Sequence, residues 1–106
     1  MSKNLVNLTL LQVEQDMDHI LAEQPDHIQT EFTRRDLFPD LIAYVLSRIP
    51  NFYMVFDEGK GQSLKPHLIN ESAERQLARE ATIRNGIYYV LEKSQHRQRK
   101  KQKMMV

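Results

Sequence analysis

The run Asp40-Leu41-Ile42-Ala43-Tyr44-Val45-Leu46-Ser47-Arg48-Ile49, closed by Pro50, limits what this chain can fold into more than any other stretch. It is the most apolar segment of the sequence, and a proline cannot extend it as a helix. Plotted at about 100° per residue, Leu37, Phe38, Leu41, Ile42, Val45, Leu46 and Ile49 cover roughly half of the circumference. Asp40, Ala43 and Ser47 lie opposite. A helix so broadly apolar must be buried, so the remaining segments have to cover it. Arg48 breaks the pattern, falling in line with Leu37 and Leu41 one turn beyond Tyr44. Two accounts fit it. The arginine can snorkel at a helix end, its charge favourable near the C-terminal dipole and its plane over Tyr44. It can also be a guanidinium held against an apolar wall to receive an anion or a guanine-like edge.

At 106 residues, 41% of them hydrophobic and 27% charged, the chain has the length and composition of one folded domain. No apolar run approaches the ~20 residues that span a bilayer. Met1-Ser2-Lys3-Asn4 opens no signal peptide, so a cytoplasmic protein is expected. The net charge of +1 hides an asymmetry. Residues 95 to 106 carry Arg97, Arg99, Lys100, Lys101 and Lys103 and no acid. Setting those five aside leaves ten basic against fourteen acidic residues, a body of about −4. The expected organisation is therefore a helical domain over residues 1–94 and a basic, disordered tail over 95–106. An acidic body disfavours direct nucleic-acid binding, which needs a basic face.

Val6, Leu10, Val13, Met17 and Ile20 recur at steps of four and three, widened by Leu21. They predict a first helix from about Asn4 to Glu23, ended by Pro25. Its narrow stripe suits either a seam against a second chain or packing inside one small bundle. Residues 24 to 33 read as a polar connector. Thr33 with Asp36 has the form of a capping box, but Asp36 is the better helix cap, with Pro39 then at the third helical position. Asn51 to Phe56 is aromatic and β-prone and reads as a short extended segment, followed by a glycine-rich turn from Asp57 to Ser63.

Gly59-Lys60-Gly61 lacks the glycine spacing and the following Lys-Ser/Thr of a phosphate loop. Pro66 can open a first turn, and Asn70 or Ser72 can cap a last helix reaching about Lys93. Ala73, Leu77 and Ala81, then Ile83, Ile87, Val90 and Leu91, give its apolar face, with a phase slip near Thr82. Gly86 suits a close helix contact. Arg84 falls on the apolar side one turn from Tyr88, whereas Arg75 and Arg79 fall outside, solvated and able to pair with Glu71 and Glu80.

Nothing here predicts an enzyme. His19, His27, His67 and His96 show no metal-ligand spacing, there is no cysteine, and no Gly-x-Ser-x-Gly elbow occurs. Neither a metal nor a cofactor is expected.

Residues 40 to 55, Asp-Leu-Ile-Ala-Tyr-Val-Leu-Ser-Arg-Ile-Pro-Asn-Phe-Tyr-Met-Val, resemble the signature of the late-competence development protein ComFB family. The likeness extends more loosely over residues 5 to 93. Family members have Leu-Asn where this chain has Leu46-Ser47, and a second proline at Asn51. Their cyanobacterial branch has a small-hydroxyl turn at Met54 to Gly59, and their Bacillus-type members place cysteines before the signature helix.

The resemblance implies a mainly α fold, a small bundle of three main helices plus a short extended segment, assembled as a two-fold homodimer. It also implies a non-enzymatic signalling receptor for a cyclic dinucleotide, cyclic di-GMP or cyclic di-AMP. Such receptors are linked to competence and motility and act on a protein partner such as a transcription regulator. Two phosphates and two flat bases call for arginines and stacking planes. The candidates are Arg48 and Tyr53, then Arg34 and Arg35, with Arg84 as a fifth. If one helix spans Arg34 and Arg48 they lie about two dozen ångströms apart, at about 1.5 Å per residue. They could then share a pocket only across a subunit boundary. The competing expectation is an adaptor of the same family that binds proteins and no small ligand.

Overall fold

A computed structural model describes residues 3–57 and 71–104. The fold is mainly helical. In chain order it comprises β1 (Lys3–Asn7), α1 (Leu8–Ala22), α2 (Asp26–Arg35), α3 (Phe38–Leu46), β2 (Tyr53–Asp57) and α4 (Ala73–Met104). The glycine-rich turn expected after Asp57 and the helix starts at Pro66 and Asn70 lie outside the described residues.

The broadly apolar helix sits where its periodicity requires. Leu37, Leu41 and Val45 are buried, and Phe38, Ile42, Tyr44, Leu46 and Ile49 pack around them. They meet Val13, Met17, Ile20 and Leu21 of α1, Ile28 and Phe32 of α2, and Ile83, Ile87, Val90 and Leu91 of α4. The stripe of α1 is therefore spent on the core of its own chain.

The chain opens as a strand rather than as the helix predicted from Asn4. β1 pairs antiparallel with β2, Leu5 opposite Val55 and Asn7 opposite Tyr53. Asn7 then caps α1, its Oδ1 accepting from the Leu10 amide at 3.1 Å. Val6 thus belongs to the sheet, and the helical stripe starts one turn later.

Residues 24 to 33 also differ from the predicted connector. Asp26–Arg35 is a helix whose Ile28 and Phe32, one turn apart, are buried. It ends at Asp36, which is left-handed at φ 53° and ψ 58°. The Leu37 amide donates to Phe32 O at 3.0 Å and the Asp36 amide to Thr33 O at 3.3 Å, the two bonds of a Schellman turn. Asp36 closes α2 and does not cap α3. Thr33 bonds back to Gln29 O at 3.2 Å, so it caps nothing either. Because the chain reverses at Asp36, no single helix joins Arg34 to Arg48.

In α4, Ser72 is the cap, its Oγ accepting from the Arg75 amide at 3.2 Å. The buried stripe is continuous: Arg79, Ile83, Gly86, Ile87, Val90, Leu91 and Ser94. The predicted phase slip does not occur, because Leu77 is 64% exposed and Ala73 and Ala81 face out. Arg79 takes the place given to them. It is buried between α1 and the segment before α4, with Nε donating to Asp16 Oδ2 at 2.5 Å and Nη1 to Glu71. Burial pulls its basicity down, but the bonds to the Glu71 and Asp16 carboxylates outweigh this and leave the guanidinium above its ordinary value.

Arg84, expected on the apolar side, is half exposed beside Glu23 and Glu80. The helix also passes its expected end at Lys93 and runs to Met104, through the stretch expected as a disordered tail. Ser94, buried and accepting from Arg35 at 3.3 Å, carries the packing one turn further. Arginine, lysine and glutamine are good helix formers beyond it.

Candidate functional site

Gly86 controls how closely α3 and α4 approach. A Cβ built there would lie 2.7 Å from Leu41 Cδ1 and 2.7 Å from Tyr44 Cδ1, so any larger residue would push these side chains aside or the helices apart. The close approach brings the Tyr44 and Tyr89 rings together, with centroids 4.9 Å apart and planes tilted by 40°. Arg48 lies on this pair. Its Cζ is 3.6 Å from the Tyr44 centroid and 5.5 Å from that of Tyr89. Its Nη1 donates to Tyr44 O and to Ser47 Oγ, each at 3.0 Å. Arg48 thus takes the geometry of the first account, a helix-end cation that is stacked on an aromatic ring and exposed.

Above the crossing, two side-chain stripes of equal spacing face each other. Asp40, Tyr44, Ser47 and Arg48 come from α3 and its last turn. Tyr89, Lys93, His96 and Arg97 repeat the same i, i+4, i+7, i+8 spacing on α4. Between them runs a groove of about 560 Å³, within the ~300–1,000 Å³ usual for small-molecule sites. Among the described residues that line it, Arg48, Lys93 and Arg97 face one acid, Asp40, so this lining is positive although the body of the protein is acidic. Lys93 Nζ is 5.6 Å from the Tyr89 centroid, and Arg97 Nη2 is 4.0 Å from Asp40 Oδ1, the limit of an ion pair. Such a site can accept an anion and a flat ring together.

Of the five residues singled out in the sequence, Arg48 lines this groove and the other four stand elsewhere. Tyr53 projects from the outer face of β2, its hydroxyl 3.5 Å from Asn7 Nδ2. Arg34 makes a two-pronged bond to Glu31 at 2.8 and 3.0 Å. That bond holds the Glu31 carboxyl below its ordinary value. Arg35 Nε is 2.5 Å from Glu31, and Arg84 is within 3.7 Å of Glu23. The α4 wall was missed because the meeting of two helices is not written in either one. Its signal was the spacing of Tyr89, Lys93 and Arg97, which copies that of Asp40, Tyr44 and Arg48 but not their residue types.

A second hollow beside Thr9, Ile49, Phe52 and Arg79 holds about 80 Å³, room for a few waters at ~30 Å³ each. Among the described residues no three His, Asp or Glu side chains are grouped to hold a metal ion, and no helix is long and apolar enough to cross a membrane. Comparison with family models, curated proteins and solved structures finds no match for this chain.

Proposed function

We propose that this chain is a non-enzymatic signalling receptor that holds a cyclic dinucleotide in the α3–α4 groove. It works as a homodimer and passes the signal to a protein partner. The observation that carries the reading is Arg48 stacked on Tyr44 beside Tyr89, facing Lys93 and Arg97. The tyrosine pair and the guanidinium plane offer a base two surfaces to stack on, while Lys93, Arg97 and the edge of Arg48 supply charge to the phosphates. The ComFB-like signature at residues 40 to 55 supports the same ligand class, since its helix is the α3 wall.

The homodimer in this proposal pairs through the β1–β2 sheet. Leu5, Tyr53 and Val55 are exposed on one face of it, and among the described residues the sheet has two strands. Such a ribbon is marginal alone and is steadied by further strands or cover. The same face also favours a second reading, an adaptor that docks another protein and no nucleotide.

Titration calorimetry with cyclic di-GMP and cyclic di-AMP tests the receptor. The expected result is binding of at least one compound, lost by about tenfold or more in Arg48→Ala, the scale of a charged hydrogen bond. Unchanged affinity in that variant, with the fold intact by circular dichroism, would discard the groove. Light scattering should give twice the monomer mass of 12.6 kDa.

A further inference from the structure

We infer that Asp40 is the residue with which the groove reads its base, and that the base selected is guanine rather than adenine; the inference rests on the receptor reading above. An acid is out of place in a site that attracts phosphates, since it weakens the positive field that the other side chains build. Asp40 is the acid among the groove-lining residues, and its carboxylate is 43% exposed. It is poorly engaged. Arg97 stands 4.0 Å away, whereas Glu31 has Arg34 at 2.8 Å and Arg35 at 2.5 Å. Two carboxylate oxygens therefore remain able to accept.

Its position gives that capacity a purpose. Asp40 precedes Tyr44 by one turn of α3, and side chains so related stand about 5–6 Å apart at Cβ. A base lying in the groove beside Tyr44 can therefore turn an edge toward Asp40. Guanine carries two adjacent donors on its Watson–Crick edge, the ring N1–H and the exocyclic N2–H, which match an acceptor-only carboxylate. Adenine presents the bare lone pair of N1 there, which a carboxylate repels. The ordinary role of Asp40 is to favour the positive first turn of α3. That role has no bearing on which base is bound, so base preference separates the two.

The test is calorimetry of the full chain and of Asp40→Asn with cyclic di-GMP and cyclic di-AMP. The native chain should favour cyclic di-GMP. The carboxamide both donates and accepts, as adenine recognition requires, so Asp40→Asn should lose about tenfold or more on cyclic di-GMP and hold or gain affinity for cyclic di-AMP. A gain of that kind cannot come from misfolding. If the native chain binds cyclic di-AMP as tightly as cyclic di-GMP, or if Asp40→Asn weakens both alike, the inference falls and the receptor reading stands. If the native chain binds neither compound, both fall.

Discussion

Asn7 Nδ2 donates to Asn51 Oδ1 at 3.0 Å, joining the cap of the first helix to the cap of the third across forty-four positions of sequence. Asn7 caps α1 through its other side-chain atom, accepting from the Leu10 amide. Asn51 Nδ2 donates to Leu46 O at 2.8 Å and Ile49 O at 2.9 Å, closing the end of α3. One pair of carboxamides thus satisfies backbone groups at two helix termini. Directly after Pro50, it is the Asn51 side-chain amide that does the capping.

Asn51→Ala removes all of these bonds but the one within α1, and leaves two carbonyls short of a donor. The expected loss is about 1–2 kcal/mol of folding stability, read as a lower urea midpoint with an unchanged slope. Asn7→Ala should cost a similar amount. The double variant should cost less than the sum of the two, because they share a bond.

Arg79→Met should be the most damaging single change proposed. Asp16 and Glu71 would be left near the core without their cation, at a cost of about 3–5 kcal/mol. Replacing all three residues with apolar ones should restore most of the loss, since the penalty comes from uncompensated charge. Equilibrium denaturation of the single and triple variants checks this.

Asp36→Gly should stabilise the protein. Asp36 is held at φ 53°, where a Cβ is strained and glycine is not. The expected gain is of order 0.5–1 kcal/mol, visible as a rise in Tm of several degrees. An unchanged or lower Tm would mean that the Asp36 side chain holds the turn.

Gly86→Ala should reverse the usual benefit of alanine in a helix, worth about 1 kcal/mol. Its methyl would press within 2.7 Å of Leu41 and Tyr44, so the helices must part or Tyr44 must turn. Lower thermal stability is expected, together with altered tyrosine fluorescence from the Tyr44–Tyr89 pair.

Strong, local patterns were legible in the sequence. The helix around Leu41 and Val45, the Val13-Met17-Ile20 stripe, the Ser72 cap and the use of Gly86 for close packing follow from spacing and residue chemistry, whereas α3 ends at Leu46, short of the Ile49 end expected from Pro50. α2 was hidden because Ile28 and Phe32 are its two buried residues in an otherwise polar ten-residue segment. β1 was hidden because its partner is some fifty positions away, while Val6 is in step with the helix that follows. Arg79 was misplaced because Leu77 is the more apolar residue, and only the positions of Asp16 and Glu71 show why the core accepts a guanidinium. In the groove, Arg48 stood out as a charge on an apolar line. Tyr89, Lys93 and Arg97 did not, since they occupy an ordinary polar face until α3 is laid against it.

The single rod of α4 has a consequence for how this chain can vary. Arg79 at one end is clamped to Asp16, and Tyr89, Lys93 and Arg97 further along form one wall of the groove. Each residue added or removed between these points would swing the far stripe by about 100° and shift it by about 1.5 Å. Loops elsewhere can lengthen without disturbing the site. The interval from Arg79 to Arg97 cannot, so it acts as a fixed gauge: substitutions on its exposed face can pass through it, but insertions and deletions cannot.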